Sequence, residues 1–220
     1  QDIGCDFAII LTPYIASNND RSVLEFFHYI ANRVDIGLVM FNSPGATYPI
    51  SSELAGELVK IPNLCGMKQA DLNPNTTLSI LDAVGDAINV SVADETVWFH
   101  NMTQLGHRWL LTYTPHMYQV AGCLPIKEYT DYVFAGDVAN ATKISASLGE
   151  IRKVNAKWIL DPWRKGNMSQ SAMKTWMELI GMAGGPGKPP VVELTDEEKE
   201  SLRSDLERVG LIQKAKAGVS

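Results

Sequence analysis

Short apolar runs alternate with helix-period stretches along the first half of the chain. The runs are Cys5–Leu11, Ile36–Asn42, Asn63–Lys68, Ile88–Ala93 and Trp109–Thr114, with starts 31, 27, 25 and 21 residues apart. That spacing is a strand–helix repeat, because a hairpin would bring the next strand within a few residues. FAIIL and IGLVM are apolar at both parities, as parallel strands covered on both faces are. Between the first two runs, Val23, Leu24, Phe26, Phe27, Ile30 and Ala31 follow the spacing of an amphipathic helix, with Asn19 or Asp20 as its cap. Beyond about residue 115 the pattern turns helical. Asp137 heads the stripe Val138, Ala141, Ile144, Leu148 and Ile151, and a Met/Trp-containing helix is expected over about 168–180. Thr195 and Glu198 form a capping box for a last helix bearing Leu202, Leu206 and Val209. Strand–helix units followed by helices predict an α/β fold.

Composition narrows the class of partner. Of 220 residues, 45% are hydrophobic and 20% charged, which suits a packed chain and excludes a disordered one. Lys plus Arg number 19 against 25 Asp plus Glu, a net charge of −6 without a basic stripe, so no nucleic acid is expected as partner. No stretch approaches the ~18 apolar residues of a membrane span. The three cysteines, Cys5, Cys65 and Cys123, are too scattered for a disulfide framework or a zinc site. Cys5 and Cys65 fall in apolar runs, where a free thiol is expected to be buried as a small hydrophobe. This usage fits a reducing, cytoplasmic setting. The opening QDIGCDFAII has neither a basic n-region nor a small-residue cleavage site; it reads as the middle of a domain.

Three strand ends carry the candidate chemistry, since sites in α/β folds gather at the carboxyl ends of strands. LTPYI (11–15) leaves the first strand at Pro13, which cannot donate to a ladder; alone it is a turn. VMFNSPGAT (39–47) closes the second run at Asn42 and enters the irregular Ser43-Pro44-Gly45. LCGMKQAD (64–71) is the most informative, because Lys68 closes an apolar strand. Burial disfavours its cation and lowers its pKa, leaving an amine able to condense with the carbonyl of a 2-oxo acid. Periodicity alone favours the other reading of Lys68, a strand-end side chain that snorkels to water. His28, His100, His107 and His116 lack metal-ligand spacing, and no GxGxxG, P-loop or GxSxG motif occurs, so neither metal nor cofactor is expected.

Taken in order, TPY (12–14), the FN-x-P loop (41–44), IPNLCGMKQAD (61–71), GD-x-x-x-A (136–141) and LIGMAGGPGKPPVVELTDEEKESLRSDLERVGL (179–211) resemble the dihydrodipicolinate synthase/N-acetylneuraminate lyase family. Singly these motifs are weak; the ordered set is specific and spans almost the whole chain. The resemblance implies a TIM (β/α)8 barrel with a C-terminal helical extension. Residues 1–125 would supply five βα units, and 126–220 the last barrel helix and the extension. TPY ends the fourth strand in that family, so three leading units are expected to lie outside this chain. At ~30 residues per unit these amount to roughly 80 to 90 residues, and the barrel formed here would be unclosed.

The resemblance further implies a class I lyase, aldolase or hydratase without a cofactor, a homo-oligomer (dimer or tetramer) in which Lys68 forms a Schiff base with a pyruvate-like 2-oxo acid. Against the family pattern Y-N-x-P-x-R, this chain has Phe41 in place of the proton-shuttling tyrosine and Ala46 in place of the carboxylate-gripping arginine. Ile15 replaces the second tyrosine of TPYY, and GHRWLLTYTP (106–115) replaces a glycine-rich approach to the last strand. Phe41 has no hydroxyl to carry a proton. Tyr14, Tyr48, Asp94, Thr112 and His116, at expected strand ends, are candidates for that task. Phe41, Asn42, Tyr48, Tyr14, Asp94 and Thr112 are expected to contact substrate, with Phe41, Lys68 and a residue from Ala93–Asp94 converging. Tyr48 follows the altered loop directly; packing at the barrel mouth is its competing reading. Loss of the arginine argues against dihydrodipicolinate synthesis itself, and Phe41, Ile15 and Trp109 favour an apolar or aromatic acceptor. The alternative is a catalytically silent relative that binds a small acid or supports an assembly.

Overall fold

The computed structural model describes residues 1–13, 19–44, 47–71, 73–167 and 169–213; Tyr14, Ile15 and Ala46 fall outside them. Two compact units, Gln1–Thr112 and Tyr113–Ser220, make up the chain. In the first, β1 (Phe7–Leu11), β2 (Gly37–Asn42), β3 (Leu64–Gln69) and β4 (Asn89–Val92) form a parallel sheet in sequence order. The connections α1 (Asp20–Ala31), α2 (Ser52–Leu58) and α3 (Pro74–Val84) make each crossover a βα unit, and α4 (Trp98–Leu105) follows β4 behind a 3-10 turn at Glu95–Val97. Short polar side chains set where each helix begins. Asn19 accepts from the Ser22 N–H at 2.9 Å and Ser51 from the Leu54 N–H at 3.1 Å, while Asn73 caps α3 just ahead of Pro74.

The expected strand at Trp109–Thr114 is reduced to a single bridge. Leu110 pairs with Val92 in parallel, the Val92 N–H donating to Trp109 O and the Leu111 N–H to Val92 O, both at 2.9 Å. Pro115 in the first turn of α5 (Thr114–Met117) then commits the backbone to a helix and ends the extension.

The two faces of the sheet differ. Met40, Met67 and Val90 align across β2–β4 and pack with Val23, Phe27, Leu54, Leu58 and Ile80 of the helices. Burying a Phe, Leu or Met in this way stabilises by ~1.5–3 kcal/mol each. The next residue along each strand points to the opposite, inner face. There Leu11, Phe41, Lys68 and Ser91 form one row across the four strands. β1 is bare on this side, with Phe7, Ile9 and Leu11 at 50%, 42% and 43% exposure.

A bulge sets the register. Leu38 pairs with Leu64 but Val39 with Gly66, so Cys65 is an extra residue in β3. It lets Leu64 and Met67, three positions apart, both join the helix-side core. Strict alternation would forbid that. Lys68 consequently faces inward. Gly37 lies against the bulge, where an added Cβ would stand 2.8 Å from the Cys65 Sγ and push that thiol aside. Contrary to the burial expected for them, Cys5 and Cys65 are exposed, as is Cys123. Cys5 precedes the first paired residue of β1, and the bulge removes Cys65 from the alternating pattern.

The second unit is mainly helical among its described residues. It contains α5, α6 (Pro125–Phe134), α7 (Val138–Ser147), α8 (Gly149–Asn155), α9 (Asp161–Arg164), α10 (Gln170–Leu179) and α11 (Asp196–Arg208), with a π-helical turn at Ala156–Leu160. The stripe from Val138 to Ile151 predicts one helix behind Asp137. The cap is present, accepting from the Asn140 N–H at 3.1 Å, but the helix breaks at Leu148, ahead of Gly149. The Arg152 guanidinium donates at 2.7 Å to the Ser145 carbonyl at that break. Trp176, fully buried, donates its indole N–H to Met117 O at 2.9 Å and stacks on Tyr118. The Thr195–Glu198 capping box closes reciprocally at 2.8 and 3.2 Å.

Candidate active site

Strand register builds the site. Lys68 lies near the carboxyl end of β3, partly buried on the inner face, with its Nζ 4.1 Å from the centroid of the Phe41 ring on β2. Burial penalises the cation and carries the amine's pKa below its ordinary value. The ring face opposes this weakly, since it attracts a cation. Phe41 therefore packs on the amine without being able to exchange a proton with it. One row closer to the strands' amino ends, the Trp109 ring lies 3.1 Å from where a Cβ on Gly66 would be, so a side chain there would crowd the indole and the Asn89 carbonyl, 3.2 Å away.

The remaining expected residues are placed differently. Asn42 is buried on the helix side, where its amide N–H donates to Gln69 Oε1 at 2.8 Å and to Ile50 O at 3.3 Å. Its carbonyl accepts from the Ile50 N–H at 3.0 Å. Expected as a substrate contact, Asn42 thus has its whole amide engaged in pinning Ile50 to the strand end. The Tyr48 hydroxyl donates to Asp20 Oδ1 at 2.7 Å, its carbonyl accepts from the Thr12 hydroxyl at 2.6 Å, and its ring packs on the helix-side core. The bond to Asp20 raises the tyrosine's pKa above its ordinary value and makes it a poorer acid. Packing, the competing reading of Tyr48, describes this placement.

Asp94 accepts from the Thr96 N–H and hydroxyl at 2.9 and 2.8 Å, so its carboxylate caps its own turn instead of reaching toward Lys68. The Thr112 hydroxyl is buried without a partner among the described residues. His116 belongs to the second unit, and burial lowers its pKa. Tyr14 lies outside the described residues. The structure thus brings Phe41 and Lys68 together, and on the other side of Lys68 their row carries Ser91. It pairs with Lys68 across β3 and β4 and is fully buried. The signal for it is in NVSV (89–92), where a polar residue alternates with two valines and so faces opposite to them. Among the described residues no three His, Cys, Asp or Glu side chains gather as a metal site would, and no helix is long and apolar enough to cross a membrane.

A strand-end amine on the inner face of a parallel, sequentially ordered βα sheet, continued in sequence by helices, defines a partial (β/α) barrel. The model of the dihydrodipicolinate synthetase family matches residues 1–209, and the chain belongs to that family. Curated relatives include the 4-hydroxy-tetrahydrodipicolinate synthases of Acetivibrio thermocellus and Corynebacterium aurimucosum, 26% and 27% identical over 221 and 218 residues. Each match covers 96% of this chain, against 68% and 65% of the relative. Among solved structures, the dihydrodipicolinate synthase of Aquifex aeolicus matches at a TM-score of 0.78 and 22% identity, covering 97% of this chain and 69% of that one. A prophage protein of the dihydrodipicolinic acid synthase family from E. coli K12, in complex with pyruvate, matches at 0.78 and 18%, covering 96% and 68%. The chain therefore spans about two thirds of the length of the relatives it matches, and it shares their fold.

Proposed function

We propose that Lys68 condenses with the C2 carbonyl of a pyruvate-like 2-oxo acid, giving a class I lyase or aldolase. The observation that carries this reading is a partly buried amine, turned inward at a strand's carboxyl end, whose pKa burial holds down. The neutral amine attacks the carbonyl, and the resulting imine makes C2 an electron sink, so that a carbon–carbon or carbon–oxygen bond at the neighbouring carbons breaks or forms. The pyruvate complex of the E. coli prophage relative supports a 2-oxo acid as the donor. Phe41 beside the amine and Trp109 over Gly66 make the surroundings apolar, which favours an apolar or aromatic acceptor over a second carboxylate.

The test is reductive trapping. Pyruvate followed by borohydride should leave one adduct on Lys68, read by mass spectrometry of the protein and its peptides, and none in Lys68→Ala. The second reading, a silent relative that binds a small acid, is favoured by the missing hydroxyl at Phe41 and the engagement of Tyr48 with Asp20. It predicts that pyruvate raises the melting temperature while no adduct forms. That outcome overturns the imine.

A further inference from the structure

Lys68 has a neighbour on the inner face that the imine reading leaves unused. Ser91 pairs with Lys68 in register, so both side chains leave the same face of strands ~4.8 Å apart. Ser91 is 0% exposed, and its Oγ has no hydrogen-bond partner among the described residues. A buried hydroxyl in that state is penalised, and most buried polar groups avoid it. An alanine would fill the position without the penalty. On the other flank of the amine stands the Phe41 ring, which offers only carbon. Of the row Leu11, Phe41, Lys68 and Ser91, only Ser91 both donates and accepts a proton at neutral pH.

We propose that Ser91 is a catalytic residue for imine formation at Lys68, moving the proton between the lysine nitrogen and the carbonyl oxygen; this rests on the reading of Lys68 as the imine-forming amine. The lysine nitrogen's lone pair forms the bond to C2 while the carbonyl π pair moves onto oxygen, which leaves an ammonium beside an alkoxide. Ser91 Oγ accepts a proton from that nitrogen as its own hydroxyl proton passes to the alkoxide, giving a neutral carbinolamine and an unchanged serine. A second proton, delivered by solvent from the partly open side of Lys68, reaches the carbinolamine oxygen. That oxygen leaves as water while the nitrogen lone pair completes the C=N bond of the iminium. In forming the carbinolamine the serine exchanges one proton for another and never has to ionise.

The experiment is a quench-flow version of the trapping, with borohydride added at intervals after the full chain meets pyruvate. Ser91→Ala should slow adduct formation by about 10²-fold, at the low end for a positioned proton carrier, and reach the same final extent. Ser91→Thr, which keeps the hydroxyl, should recover most of the rate. The pH dependence of Lys68 modification by trinitrobenzenesulfonate should be the same in all three proteins, because the amine itself is untouched. A parent rate in Ser91→Ala overturns the proposal, and so does a loss accompanied by a shifted Lys68 titration, which assigns Ser91 a structural role. Should Ser91→Ala lose its cooperative melting transition, Ser91→Cys, close in size and a weaker hydrogen-bonding group, is read in its place against the same two outcomes. If the parent chain takes up no label at all, the reading of Lys68 fails, and the role of Ser91 fails with it.

Discussion

Alternate residues of β2 and β3 enter two different environments. Met40 and Met67 are 0% exposed against the helices, while Phe41 and Lys68, one residue further on, stand partly open to solvent on the inner face. On the helix side the polar groups at the strand ends are matched to one another, as in the Asn42–Gln69–Ile50 set. On the inner face an amine rests on a ring, and the Ser91 hydroxyl has no partner among the described residues. The contrast separates the two faces within a two-residue period, with cohesion on one side of the backbone and, on the proposed reading of Lys68, reactivity on the other.

The sharpest way to break that comparison is Lys68→Ala. Labelling by pyruvate and borohydride should vanish while the melting temperature stays within a few degrees, since the amine's partner in the structure is a ring and not a buried opposite charge. Next come paired truncations across the backbone. Met67→Ala should destabilise the chain by about 2–5 kcal/mol in urea titration, whereas Leu11→Ala, 43% exposed on the inner face, should cost about 0.5 kcal/mol. Equal losses would mean that the inner face also carries cohesion. Asn42→Ala strips the Ile50 N–H and the Gln69 side chain of a buried partner, with an expected cost of about 1–3 kcal/mol in the same titration and little change in labelling.

The smallest effects are in pH. The folded-state pKa of Lys68 is lowered, so between it and the ordinary lysine value of ~10.4 the unfolded chain binds more protons and stability rises with pH. Labelling should climb over the same window and level off below ~10.4, and Lys68→Met should flatten the stability profile there. His107 behaves alike at lower pH. It is buried, and burial lowers its pKa, so stability should decline as pH falls through the ordinary histidine value of ~6.5. His107→Gln should remove that decline from a series of thermal melts.

The strands and caps of the first unit were legible because their signals are local. A strand–helix period, Asn19 before an apolar stripe, and a lysine closing an apolar run all lie within a few residues of what they predict. The fifth strand was overwritten by helix formation at Thr114–Met117, where Pro115 decides the backbone. Lys68 stood out because a cation at the end of an apolar strand is anomalous. Ser91 did not, since serine in a strand is ordinary, and its place beside Lys68 depends on pairing with a strand 23 residues earlier. The roles of Asn42 and Tyr48 were hidden for the same reason, with their partners Gln69 and Asp20 lying 27 and 28 residues away. Spacing along the chain carries no record of such meetings.

The bulge at Cys65 has a practical consequence. Pairing does not require that residue, its thiol is exposed, and Lys68 lies three positions further along the same strand. With Cys5 and Cys123 replaced by serine, an environment-sensitive fluorophore on Cys65 would, on the proposed reading of Lys68, turn the bulge into an optical reporter of carbonyl compounds arriving at the amine.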